Sequence, residues 1–134
     1  MRKTVSLIVF YDATNCILLQ DRRGMNKGAD WGYFGGKIEE GETPEQALVR
    51  ETQEELTFTL TSYVFLGHYS ILNTAEKFVE GYVYTAHLPT DYLSIFVQCE
   101  GAGMLLCTIE EARKLDMLPG DYVVLDALEK FFNS

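Results

Sequence analysis

Glu51, Glu54 and Glu55 are the residues of this chain whose spacing is best suited to chemistry. On a helix, separations of three and four residues place their carboxylates on one face, a turn apart. That arrangement is electrostatically poor by itself. Like charges at i,i+4 repel, and a helix dipole disfavours anions toward the C-terminal end. Arg50 can neutralise one carboxylate, and the remaining all-oxygen donors suit a hard divalent cation such as Mg²⁺ or Mn²⁺. A solvated acidic helix face is the alternative, so the flanking sequence has to decide between them.

The flanks predict the helix. Thr43 fits an N-cap with Pro44 at the first helical position, and Gln46 completes a capping-box pattern, so the helix should run from about Pro44 to about Leu56. The stretch from Gly35 to Leu56 holds seven of the chain's 20 acidic residues. From Gly36, five residues lead to Glu42, seven more lead to Arg50 and Glu51, and Glu54 and Glu55 follow after two. This spacing resembles the Nudix box, Gly-x5-Glu-x7-Arg-Glu-U-x-Glu-Glu-x-Gly-U with U aliphatic, the signature of Nudix hydrolases. Two positions depart from it. Thr52 stands where an aliphatic residue is usual and should face the core, and Thr57 replaces the glycine that would ease the helix into a left-handed ending.

The resemblance implies an α/β (α+β) fold of the Nudix type: an α/β/α sandwich with a mixed central sheet and the box as loop-helix-loop. It also implies hydrolysis of a phosphoanhydride in a nucleoside diphosphate derivative with Mg²⁺ or Mn²⁺ as cofactor: foremost a nucleoside triphosphate split to monophosphate and pyrophosphate, with nucleotide sugars or dinucleoside polyphosphates, or a non-catalytic nucleotide-sensing module, as the alternatives. Glu51, Glu54 and Glu55 are then metal ligands and one of them, or Glu100, the base. Gly35 could offer a backbone carbonyl to the metal. Arg50 should hold Glu51, Lys37 should face phosphate, and Glu39 and Glu42 should support the loop.

Likeness to the mutator-type members, which act on oxidised guanine nucleotides, is closest from Gly35 to Ala47 and weaker elsewhere. Phe34 replaces the proline usual before the two glycines. By that likeness Arg23, the second of an Arg-Arg pair, contacts substrate phosphate. Glu100, in Glu-Gly-x-x-Gly before the last strand, reaches the metal centre. Asp121 has two competing readings: N-cap of the final helix, which local geometry favours, or a residue that reads the base, where an ionised Asp only accepts hydrogen bonds.

The whole chain is compatible with such a site. Its 134 residues are one domain's worth, 1–134, with 47% hydrophobic and 23% charged residues. No stretch approaches a membrane span and no leader pattern is evident, so the expected place is cytoplasmic and the expected state a monomer or homodimer. Cys16, Cys99 and Cys107, with only His68 and His87 beside them, make neither a disulfide framework nor a zinc site. A net charge of −9 argues against nucleic-acid polymers. It also means that a small anionic nucleotide would be repelled without metal screening.

Other elements follow from pattern. Strands are expected over Lys3–Phe10 and Cys16–Gln20 with a turn between them, then a loop from Met25 to Asp30. A long antiparallel hairpin is expected over Tyr63–Ile71 and Lys77–Leu88, whose tyrosines pack the sheet rather than line a base pocket. Leu93–Val97 reads as a strand or a short packing segment. Met104–Cys107 reads as a strand, Thr108 with Glu111 as the cap of a short helix to about Leu115, and the residues after Asp121 as a helix with an apolar stripe.

Overall fold

The computed structural model describes residues 2–134. The chain runs β1 (Arg2–Tyr11), β2 (Ile17–Asp21), β3 (Trp31–Gly32), β4 (Phe34–Lys37) and α1 (Pro44–Leu56). It continues through β5 (Val64–Asn73), β6 (Phe78–His87), α2 (Tyr92–Ile95), β7 (Gly103–Cys107), α3 (Ile109–Ala112) and α4 (Pro119–Phe132).

β1 carries the sheet. It pairs in parallel with β6 along its whole length, Arg2 opposite Phe78 through Tyr11 opposite His87. On its other side it meets β2 at Tyr11 and Ile17, and β4 from Val5 opposite Lys37 to Ile8 opposite Phe34. β5 closes one edge antiparallel to β6, while β3 and β7 are both antiparallel to β2. The sheet is therefore mixed, with one parallel pairing at its centre.

Buried on both faces, β1 reads as a continuous apolar run, yet its residues still alternate between two cores. Val5, Leu7 and Val9 pack with Val124, Leu125 and Leu128 of α4. Ile8 and Phe10 pack with Leu48 and Leu56 of α1. The α/β/α layering thus follows from side-chain parity on one strand. Ser6, on the α1 side, donates its hydroxyl to the Pro44 carbonyl at 2.6 Å and anchors the start of α1.

The box helix has the predicted bounds and the predicted cap. Thr43 Oγ1 accepts from the Gln46 N–H at 3.1 Å and the Gln46 side chain accepts from the Thr43 N–H at 2.9 Å. Thr52 is buried, its hydroxyl donating to the Leu48 carbonyl at 2.7 Å. The helix ends in the left-handed conformation the box glycine usually supplies, and here Thr57 adopts it, at φ 53°.

Of the two readings of Leu93–Val97 the short packing segment holds, with Leu93–Ile95 in the single turn α2 and Phe96 buried. Two expectations are corrected. α3 is one turn long, although its Thr108–Glu111 capping box is present. The N-cap of α4 is Leu118 rather than Asp121, since Pro119 occupies the first helical position and Asp121 falls at the third.

Candidate active site

One cavity of about 280 Å³ lies between the α4 side of the sheet and the ends of β2, β4 and α1. Its floor is apolar, with Val5, Leu7, Ile71, Val79 and Leu118. Glu51, Glu55 and Glu100 form one wall, and Asp121 and Tyr33 lie at the deep end.

Two glycines let β4 lie close to β1 and to α1. A Cβ on Gly35, at φ 140°, would overlap the Ser6 carbonyl of β1, and one on Gly36 would overlap the Glu51 carboxylate. Without side chains there, α1 sits close enough for the Gly35 N–H to donate to Glu55 Oε1 at 2.8 Å. Gln20 Nε2 approaches Glu55 Oε2 at 3.4 Å and also donates to the Glu100 carbonyl at 3.3 Å. The last helical carbonyls, those of Glu55 and Leu56, accept from the N–H groups of Cys99 and Val97 at 2.8 and 2.9 Å. Groups normally left without a partner at a helix end thereby clamp the Glu100 loop to α1.

Arg50 organises the acidic face. It holds Glu42 through two bonds, Nε to Oε2 at 2.6 Å and Nη2 to Oε1 at 2.9 Å, and Glu51 through Nη1 at 2.9 Å. It also reaches Glu54 at 3.1 Å and the Lys37 carbonyl at 2.9 Å. Hydrogen bonding from Arg50 holds the Glu42 carboxyl down to about 2, as expected for a carboxylate gripped by a fork of donors. Glu39 contributes through its backbone, its N–H donating to Glu42 Oε1 at 2.9 Å.

Glu55 behaves in the opposite way. Burial raises its carboxyl to about 7, the Gly35 N–H works against that rise, and the Glu51 and Glu100 charges add to it. Burial also raises Glu51, against the pull of Arg50. Asp121, 2% exposed, rises to about 7 for the same reason, opposed by Arg22 and by the Leu118 N–H.

The positions expected from sequence do not all converge. Glu51, Glu55, Glu100, Gly35, Lys37 and Asp121 line the cavity. Glu54 stands outside it, its side chain 58% exposed beside Arg50. Arg23 is also outside, ion-paired to Asp21 at 2.6 Å and lying over the Trp31 ring. Arg22 takes the cavity position instead, donating to Gln20 Oε1 at 3.0 Å and to the Tyr33 carbonyl. Strand alternation could have found it, because Gln20 and Arg22 share a face that Arg23 does not. Tyr33, whose hydroxyl donates to the Asp121 carbonyl at 2.8 Å, carried no such signal. Tyr63, Tyr82 and Tyr84 pack in the aromatic cluster with Phe65, away from the cavity, and His68 stacks on Tyr82.

Among the described residues no three acidic, histidine or cysteine side chains stand together at metal-ligand distances. The donors nevertheless fit a hard divalent ion. They are oxygens only, two of them belong to carboxylates that burial raises, and Glu51, Glu55 and Glu100 repel one another across one cavity.

A sequence profile of the NUDIX domain matches residues 1–128. The chain belongs to the Nudix family. It is a hydrolase of phosphoanhydrides, MutT-like in sequence and fold. The CTP pyrophosphohydrolase of Escherichia coli is 32% identical over 131 residues, covering 95% of this chain and 90% of its own. The 8-oxo-dGTP diphosphatase of Proteus vulgaris is 32% identical over 97 residues, covering 69% and 82%. The crystal structure of the MutT protein from Methanosarcina mazei shares the fold, at a TM-score of 0.75 and 20% identity over 98% of this chain and 94% of that one. Nudix hydrolases generally act on nucleotides and use divalent metal ions, and the oxygen-rich wall of this cavity suits both.

Proposed function

We propose that this Nudix hydrolase is a metal-dependent nucleoside triphosphate pyrophosphatase, releasing the monophosphate and pyrophosphate. The observation that carries the reading is the facing of Glu51 and Glu55, held on α1 by Arg50 and the Gly35 N–H, toward a cavity that also presents Lys37 and Arg22. A bound Mg²⁺ or Mn²⁺ would offset phosphate charge and lower the pKa of a coordinated water. Glu51, Glu55 and the Gly35 carbonyl would hold it, with Glu54 joining from the solvent side and Glu100 left free of the ion. Arg50 orients Glu51 and opposes the burial that favours its protonated form. Lys37 and Arg22 bind phosphate oxygens, with Arg23 available at the rim. Glu100, on the loop clamped across from α1, takes the proton of the attacking water.

Two relatives whose names specify nucleoside triphosphates support the substrate class. Asp121 then meets the base. With a carboxyl near 7 it exists at neutrality in two forms, one that only accepts and one that also donates, so it can pair with more than one base edge. Oxidised guanine nucleotides are therefore one substrate to try among several. We place the enzyme in the cytoplasm, as a single domain acting as a monomer or homodimer.

A product screen with Mg²⁺ tests the proposal, using 8-oxo-dGTP, the ordinary triphosphates, nucleotide sugars and dinucleoside polyphosphates. Monophosphate plus pyrophosphate from a triphosphate is the expected result. Turnover confined to nucleotide sugars or dinucleotides would replace the substrate class, and tight binding without turnover would make the protein a sensor.

A further inference from the structure

The end of the cavity away from the carboxylate wall is basic. Lys3 lies on β1 two residues before Val5, Lys37 is opposite Val5 on β4, and Lys77 immediately precedes β6, beside the pairing of Lys3 with Val79. All three line the cavity. With Arg22 and Lys27 they place five of the chain's 11 basic residues around it, in a molecule of net charge −9. Lys27 pairs with Glu100 at 3.9 Å and Arg22 faces Asp121, Glu55 and Glu100, whereas Lys3, Lys37 and Lys77 gather toward the other end of the hollow.

Lys3 feels the repulsion of its neighbours. Burial lowers its ammonium pKa first, and Lys27, Lys77, Lys37 and Arg22 lower it further. Its distance from the reacting end is also informative. Glu55 is tied to Gly35, which pairs with Leu7, and Lys3 lies four residues further along β1. At the rise of a strand that is about 13 Å, more than the anhydride at the carboxylate wall would span. The floor between, at Val5 and Leu7, is apolar and suits the sugar of a nucleotide.

We propose that Lys3 and Lys77, beyond Lys37 along the cavity, form a second anion subsite, holding a phosphate of the substrate other than those at the carboxylate wall. The inference rests on the nucleotide reading above and narrows it to substrates whose phosphates are spread along the cavity. Two sources supply such a phosphate: the far end of a polyphosphate chain, or a phosphate on the ribose.

Calorimetric titration with Mg²⁺ present separates them, using guanosine 5′-monophosphate, the non-hydrolysed α,β-methylene analogue of guanosine triphosphate, and guanosine 3′,5′-bisphosphate. We expect the triphosphate analogue, the bisphosphate or both to bind at least about tenfold more tightly than the monophosphate. The Lys3→Met/Lys77→Met protein should lose that advantage while the Lys3→Arg/Lys77→Arg protein keeps it. A loss on the triphosphate analogue assigns the chain end, a loss on the bisphosphate assigns the ribose, and a loss on both assigns a subsite that takes either. No loss, or an equal loss for all three ligands, overturns the subsite and leaves only general charge attraction. If the unaltered protein binds none of the three, the nucleotide reading itself fails, which is a separate outcome.

Discussion

Glu55 couples stability to pH at the scale of a single residue. Its carboxyl lies near 7 in the folded chain against 4.5 in the free side chain, so folding favours its protonated form. The contribution is fully present below about 4.5 and is lost as pH rises through about 7. Metal-free protein should therefore lose stability between pH 5 and pH 8. Glu55→Gln should flatten that slope in urea titrations and lower kcat on the order of 100-fold or more, because a group at the reacting centre is gone. A Gln variant with full activity would remove Glu55 from the metal site. Asp121 has the same sign and a similar value, so part of the slope should remain until Asp121→Asn is added.

Arg22 and Arg23 are adjacent in sequence but differ in burial. Arg22→Ala strips the Tyr33 carbonyl and Gln20 of a donor and should cost about 1–3 kcal/mol as well as weakening substrate binding. Arg23→Ala takes an exposed guanidinium from the nearly buried Asp21 carboxylate, which keeps the Arg23 N–H as a donor, and should leave substrate binding nearly unchanged. Denaturation curves and KM values for the two variants decide the matter. A large KM increase in Arg23→Ala alone would return the phosphate contact to Arg23.

At the scale of the element, α1 ends on a strained residue. A β-branched Thr57 at φ 53° occupies a conformation that glycine adopts freely. Thr57→Gly should stabilise the protein by about 0.5–1 kcal/mol, despite losing the 3.3 Å bond from its hydroxyl to the Val97 carbonyl. An unchanged urea midpoint would mean that this bond offsets the strain. The start of the same helix was legible in sequence because its signals are local: Thr43, Pro44 and Gln46 satisfy one another within four residues. β3 and β4 were not legible. Trp31–Gly32 and Phe34–Lys37 are too short and too rich in glycine to show a period, and they are strands because β2 and β1 offer them partners. Asp121 was misplaced for a related reason: its own capping preference outweighed Pro119, which marks the first turn more firmly.

For the whole molecule, carboxylates that repel each other make the unliganded state less stable than the fold allows. A divalent ion that binds only the folded chain adds about 2.7 kcal/mol at a hundredfold excess over its Kd. Mg²⁺ should therefore raise the melting temperature, and more at pH 8 than at pH 6, because Glu55 must shed its proton to become a ligand. The check is a melt against EDTA with NaCl matched for ionic strength. An equal rise with NaCl would reduce the effect to screening.

The long parallel pairing of β1 with β6 also governs how the chain folds. Each bridged pair, from Arg2 with Phe78 to Tyr11 with His87, is separated by 76 residues. The β5–β6 hairpin and the capped box helix can form from nearby sequence, but β1 has to wait for a partner that is synthesised much later. Until then the Val5–Phe10 run, buried on both faces in the finished sheet, is an unsatisfied apolar strand. Refolding should be slow for a chain of this length, with closure of the loop between β1 and β6 as its barrier. Yield on expression should then depend more on keeping the nascent β1 from self-association than on the final stability of the fold.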